Sequence, residues 1–177
     1  MTRLIRRLAA AFRHADGTAS MEFVLIIPVV LAAFMAAFES GLLMTRHLML
    51  ERAVDMTMRE LRLGHLVDPT HDSLKTEICS RTVVISDCEN VIRIDLQTIS
   101  TADWSLPADE PTCVDRAEEI HPDIPLDPGS ESDLMLVQVC VVVDAIFPSS
   151  GIGLRLPKDA QDGYGLVSVS AFVNEPS

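Results

Sequence analysis

The uncharged stretch FVLIIPVVLAAFMAAF, residues 23–38, decides the fold of this chain. Its 16 residues would reach ~24 Å as a helix, and continuing to Met44 gives ~33 Å, close to the ~30 Å hydrocarbon thickness of a bilayer. The sequence therefore predicts a single transmembrane helix over residues 18–44. Pro28 lies inside this helix and removes one backbone hydrogen bond, so we expect a local kink there.

Two other interpretations of this stretch fit less well. A removable secretory signal would have a shorter apolar core and a small-x-small cleavage site, and residues 31–41 contain no A-x-A. The second alternative is a buried helix of a soluble protein, but here an apolar surface that runs all the way round sits beside a basic N-terminal segment. Both observations favour a membrane anchor.

Charge divides the chain into two unequal parts. Residues 1–17 hold four arginines against one aspartate, and this basic leader predicts a cytoplasmic N-terminus. The whole chain carries −12, so the remaining 160 residues carry −15. Such an acidic body would repel phosphates and has no basic stripe with interleaved aromatic residues, so we expect no nucleic-acid binding. The segment beyond the span is predicted to lie outside the cytoplasm.

The leader meets the span in the sequence GTASMEF, residues 17–23. Gly17 is followed five residues later by Glu22, and the apolar run begins immediately after it. This order resembles the processing site of type IV prepilin-like proteins, where a membrane aspartyl peptidase, the prepilin peptidase, cuts after the glycine. The resemblance implies that residues 1–17 are removed and that Thr18 becomes the mature N-terminus.

Glu22 is an acid at the head of a membrane helix, and intramembrane acids are by default candidates for function. The ammonium freed at Thr18 of a neighbouring subunit would neutralise this carboxylate and set the register between subunits. The alternative is that Glu22 only caps its own helix, where the macrodipole favours an anion.

Among pilin-like proteins, the chain most resembles the TadE-like minor pseudopilins of tight-adherence (Tad) pilus systems. The resemblance rests on residues 17–38, on FESG at 38–41 and on LVSVSAFVNEP at 166–176. It implies a structural or assembly component in the bacterial inner membrane with a periplasmic C-terminal domain. Its partners would be the prepilin peptidase, other pilin-like subunits, the pilus assembly machinery and membrane lipid. The alternative is an uncleaved, single-pass envelope scaffold or binding protein.

Helical periodicity continues beyond the span and predicts a helical stem over residues 45–66. Leu50, Val54, Met58 and Leu61 recur on one stripe, and Gly64 is a natural stop. The stripe either covers a sheet of the same chain or docks another pilin-like chain.

Residues 67–177 are predicted to form an extracytoplasmic, β-rich domain. The expected architecture is α+β, with the long N-terminal helix packed on a small, mainly antiparallel sheet. Alternating or β-branched runs predict strands at residues 91–99, at 134–147 in a central position, at 164–173 and, as a short strand, at 82–86.

Four cysteines follow the span, and an even number in an exported domain predicts two disulfides with three possible connectivities. We favour Cys79 with Cys88, a short local loop, and Cys113 with Cys140, which would tie an acidic loop to the central strand. A metal site is the rival, but the chain has no C-x-x-C and its histidines show no ligand spacing.

No other pattern indicates a cofactor or catalysis. The acidic, proline-rich residues 107–133 are predicted to be loop, and the spacing of Asp123, Asp127, Glu131 and Asp133 does not fit an EF-hand. No G-x-S-x-G or nucleophile–base pairing is present. We therefore expect no metal, no cofactor and no enzymatic activity.

Overall fold

One long helix and a three-stranded sheet organise the part of the chain that the computed structural model describes. That part comprises residues 18–66, 69–104, 112–117, 126–127, 129–148, 155–159 and 161–175. The predicted α+β architecture is confirmed.

Helix α1 (Thr18–Arg62) is 45 residues long, about 68 Å at the usual rise. It runs without interruption through Pro28 and the predicted span, and it ends at Arg62, inside the predicted stem of residues 45–66. It ends where Gly64 adopts a φ of +71°. The amide of Gly64 donates to the carbonyl of Leu61, and that of His65 donates to the carbonyl of Glu60. This is a Schellman C-cap, which requires a left-handed residue at the position of Gly64.

Helix α2 (His71–Arg81) lies inside the domain that was predicted to be β-rich, and no helix was predicted there. Thr70 and Ser73 form a reciprocal capping box at its start. Its buried residues are only Leu74 and Ile78, so its apolar periodicity is weak.

The predicted short strand at residues 82–86 is wrong, because these residues form turns. The amide of Thr82 donates to the carbonyl of Cys79, and the amide of Ile85 donates to the carbonyl of Thr82. The Cys79–Cys88 disulfide joins the two sides of this turn, and a one-turn helix, α3 (Cys88–Val91), follows. A chain that must return within nine residues has no room for an extended strand.

The sheet consists of β1 (Ile92–Ile99), β2 (Leu134–Asp144) and β3 (Gly163–Val173), in the order β1-β2-β3. Both pairings are antiparallel, and the register aligns Ile94 with Val139 and Val139 with Ser168. The three main strands and the central place of β2 were therefore predicted correctly. Strand β2 ends three residues earlier than expected, at Asp144.

Helices α1 and α2 lie side by side on one face of the sheet. Leu50, Val54 and Met58 of α1 belong to one buried cluster with Leu74 and Ile78 of α2. The same cluster includes alternate residues of the strands, namely Ile92, Ile94, Leu96, Val137, Val139, Val141 and Leu166. The predicted stripe of the stem thus covers the sheet of its own chain.

The opposite face of the sheet is crossed by the segment 112–117. The Cys113–Cys140 disulfide pins this segment to the central strand. Gly165 allows the close approach, since a Cβ there would lie 2.6 Å from the Cys113 sulfur. The structure thus contains the two disulfides that the cysteine spacing favoured.

Two ends of the domain can be distinguished along α1. At the near end, Glu39 of α1 contacts the residues that follow β2. At the far end, Arg62 of α1 pairs with Glu175 beyond β3. Trp104 follows β1 at the far end, because β1 runs antiparallel to β2 and its last residue pairs with Leu134.

Candidate membrane anchor and its junction with the domain

The first half of α1 projects from the domain with its apolar side chains exposed. Ten large apolar residues between Met21 and Phe38 are at least half exposed: Met21, Phe23, Val24, Leu25, Ile26, Val29, Val30, Leu31, Phe34 and Phe38. In length and composition this helix is able to cross a membrane, and none of its most apolar segment is buried inside the protein. Leaving so much apolar surface in water is unfavourable. Helix α1 is therefore a candidate membrane anchor.

Glu22 lies near the start of α1 and is exposed. Within the described residues its side chain has no hydrogen bond or ion pair. Gly17 lies outside the described residues, and Thr18 is the first residue of α1. A partner for Glu22 therefore has to come from another molecule or from the undescribed residues.

Glu39, at the other end of the apolar stretch, has the opposite environment. Only 1% of its surface is exposed. Its Oε1 accepts a hydrogen bond from the Ile146 amide, and its Oε2 accepts one from the Phe147 amide, both at 3.1 Å. Strand β2 stops at Asp144, opposite Gly163, the first residue of β3. The amides of residues 146 and 147 donate to Glu39 instead of to a neighbouring strand. Sequence reasoning treated Glu39 only as the end of the apolar run.

Two further contacts strengthen this attachment. The Arg46 guanidinium donates from Nη1 to the carbonyl of Asp144 at 2.9 Å. The rings of Phe38 and Phe147 meet edge to face, with centroids 6.4 Å apart. We call residues 38–46 of α1 together with residues 144–147 the junction. It fixes the near end of the domain to the point where the apolar half of α1 ends.

A second charged cluster ties two loop segments to the end of β2 at the near end. Arg116 donates to both carboxylate oxygens of Asp159, from Nε at 2.9 Å and from Nη2 at 3.1 Å, and from Nη1 to Asp144. Hydrogen bonding to Arg116 lowers the pKa of the Asp159 carboxyl, and the amides of Gly163 and Gln161 add to the effect. The same contact raises the pKa of Arg116. The members of the cluster are engaged with one another, as expected for a structural ion-pair network.

The acidic loop shows no arrangement of metal ligands in its described parts. Asp127 accepts from the Gly129 amide and Asp133 accepts from the Ser130 amide, so both carboxylates stabilise turns. Asp123 lies outside the described residues. Among the described residues, no three His, Cys, Asp or Glu side chains come together as a metal would require.

The sequence model of the TadE-like protein family matches residues 17–59. The match begins at Gly17 and spans nearly all of α1, so the expected resemblance to TadE-like proteins is confirmed for this segment. It does not reach the sheet, and the likeness of residues 166–176 stays a prediction. Neither a search of curated proteins nor a search of solved structures finds a match.

Proposed function

We propose that this chain, which is TadE-like over residues 17–59, is a minor pseudopilin-like component of a Tad pilus with a structural or assembly role. One observation carries the proposal: an exposed acid, Glu22, stands at the head of an apolar helix whose large side chains are mostly exposed. A helix built this way has no partner for its acid within the described chain. It is suited to an assembly in which neighbouring subunits supply both the apolar contacts and the counter-charge.

Maturation is the first step of this proposal. A prepilin peptidase would cut after Gly17, and the new ammonium at Thr18 would pair with Glu22 of a neighbouring subunit. The support is the order of basic leader, glycine, glutamate and apolar helix, together with a family match that begins at Gly17.

The proposed topology places the leader in the cytoplasm and the domain in the periplasm, with α1 crossing the inner membrane. The basic leader favours this direction, and two disulfides are typical of a domain outside the cytoplasm. The partners are membrane lipid, the prepilin peptidase, other pilin-like subunits and the assembly machinery. In this proposal the chain binds no nucleic acid and is not an enzyme.

The intact mass of the chain purified from membranes tests the proposal. We expect mature chains that begin at Thr18, and only the larger precursor when Gly17 is replaced by leucine. Gly41→Leu is the matched control, since a Cβ at Gly41 meets nothing within 4 Å, and it should be processed normally. Wild-type chains that still begin near Met1 would instead support the alternative, an uncleaved single-pass envelope scaffold.

A further inference from the structure

The near end of the domain presents apolar side chains beside the point where α1 would leave the membrane. Ile146 is 47% exposed and Phe38 is 51% exposed. Ile146 and Phe147 are held against α1 by Glu39. Val83, which is 88% exposed, belongs to the turn whose following residues line a cleft with Arg46 and Asp144. The exposed apolar residues of two separate loops therefore lie at this end.

The length of the apolar run determines how deep these residues lie. From Phe23 to Phe38 the run has 16 residues, whereas a bilayer's hydrocarbon core needs about 20 residues of helix. Counted from Phe23, about 20 residues end near Leu42, about one turn beyond Glu39. The carboxylate of Glu39 would then fall inside the edge of the hydrocarbon region, where an exposed charge is strongly unfavourable.

The junction resolves this conflict. Glu39 is buried, and each of its oxygens accepts a hydrogen bond from a backbone amide of residues 146 and 147. The segment that covers it carries Ile146 and Phe147 and therefore lies at the same depth. Because α1 continues as helix from the span into the domain, there is no linker that would let this segment move away from the membrane surface.

The charges nearby suit a position at the lipid headgroups. Arg46 lies about two turns beyond Glu39, and Lys158 donates to the carbonyl of Pro148 at 2.8 Å. Three of the acids at this end pair with cations: Asp144 and Asp159 face Arg116, and Asp162 faces Lys158. A fourth, Asp87, accepts a hydrogen bond from the Asn90 side chain. Long cationic side chains beside an apolar segment are typical of an interfacial position.

We propose that residues 145–148, held on Glu39, insert into the outer interface of the membrane that α1 crosses, so that lipid is the partner of the near end. The proposal rests on α1 spanning the membrane. In this arrangement the domain contacts the membrane surface directly and lies at a fixed distance from it.

Tryptophan fluorescence of the full chain in phosphatidylcholine vesicles tests this. Trp104 is the only tryptophan and lies exposed at the far end, so the wild-type chain is the built-in control. In a Trp104→Phe background, Ile146→Trp should emit at shorter wavelength than Trp104. Lipids brominated on the upper acyl chain should quench it about twofold, as expected for a side chain at the headgroup boundary, and should leave Trp104 unquenched.

Two further variants make the outcome decisive. Phe34→Trp, in the same background, reports the span and should be quenched whether or not the loop touches lipid. Phe147→Trp repeats the measurement at the neighbouring residue in case Ile146→Trp disturbs the junction. Quenching at residue 34 without quenching at residues 146 and 147 would overturn the inference and leave the anchor intact. No quenching at residue 34 would overturn the anchor and the inference together.

Discussion

Two glutamates bracket the apolar half of α1, and their environments are opposite. Glu22 is exposed and has no partner within the described residues, whereas Glu39 is buried and accepts two backbone hydrogen bonds from its own domain. The same side chain thus ends the same apolar run in two ways. Folding of the chain supplies the partners of Glu39, whereas assembly with another molecule has to supply a partner for Glu22.

The comparison also divides α1 as a whole. Beyond Glu39 its apolar residues Leu50, Val54 and Met58 are buried under the sheet. Before Glu39 almost all of its large apolar residues are exposed. Folding stabilises the second half, and membrane or neighbouring helices have to stabilise the first half.

The largest effect is expected from Glu22→Gln. If Glu22 meets a neighbour's ammonium in an apolar bundle, loss of its charge leaves that cation unpaired and weakens association by on the order of 3 to 5 kcal/mol. The measurement is co-purification of other pilin-like subunits at matched membrane levels, with leader cleavage checked separately.

The matched control is Glu51→Gln, the same change on the domain half of α1, where the Glu51 side chain is 48% exposed. It should leave co-purification unchanged. Equal association for Glu22→Gln and wild type would refute the registry role, because the helix-capping alternative involves only ~0.3 to 1 kcal/mol.

Removing the Cys113–Cys140 disulfide tests whether the domain can be destabilised without an effect on the anchor half of α1. Its cysteines are 27 residues apart in sequence. Closing a loop of that size in the unfolded chain stabilises the folded state by about 3 to 4 kcal/mol in the chain-entropy account. Replacing both cysteines by alanine should lower the midpoint of urea unfolding of the domain in detergent, while membrane insertion stays unchanged. Loss of membrane insertion in this variant would show that the two halves are coupled.

Glu39→Ala should destabilise the domain by about 2 to 3 kcal/mol, since two part-buried amides lose their acceptor. Glu39→Gln keeps one acceptor oxygen and should fall between alanine and wild type. The readout is urea unfolding of the full chain in detergent, compared with Glu22→Gln, which should match wild type. If Glu22→Gln destabilises the isolated chain as much as Glu39→Ala does, the contrast between the two acids is wrong.

Sequence patterns predicted the elements whose periodicity is strong. The apolar run and the stripe of Leu50, Val54 and Met58 predicted α1, and the alternation along residues 92–99 predicted β1. Helix α2 was missed because only Leu74 and Ile78 are buried on it. Its one clear signal was the pair Thr70 and Ser73, which form a capping box without the usual acidic partner.

The junction could not be predicted from sequence. Glu39 and Ile146 are 107 positions apart, and the donors are backbone amides, which every residue except proline carries. No side-chain pattern at residues 145–147 therefore signals the contact. The one available hint was a lone acid directly after an apolar run, since such an acid needs a partner when it is placed near lipid.

The smallest expected effect concerns the ionic cluster at the near end, and it depends on pH. Arg116 lowers the pKa of Asp159 below its ordinary value. The stabilisation is therefore fully present above the unfolded pKa of about 4 and is lost as the pH falls through the folded pKa.

Asp159→Asn should reduce the free energy of unfolding by on the order of 1 kcal/mol at pH 7, and the difference from wild type should shrink below about pH 4. Asp162→Asn is the matched control, because its side chain is 78% exposed and the same loss of charge should change stability little at either pH. A gap between Asp159→Asn and wild type that stays constant from neutral pH to acid would show that Asp159 acts through its shape and amide contacts, and that its ion pair with Arg116 adds nothing to the near end.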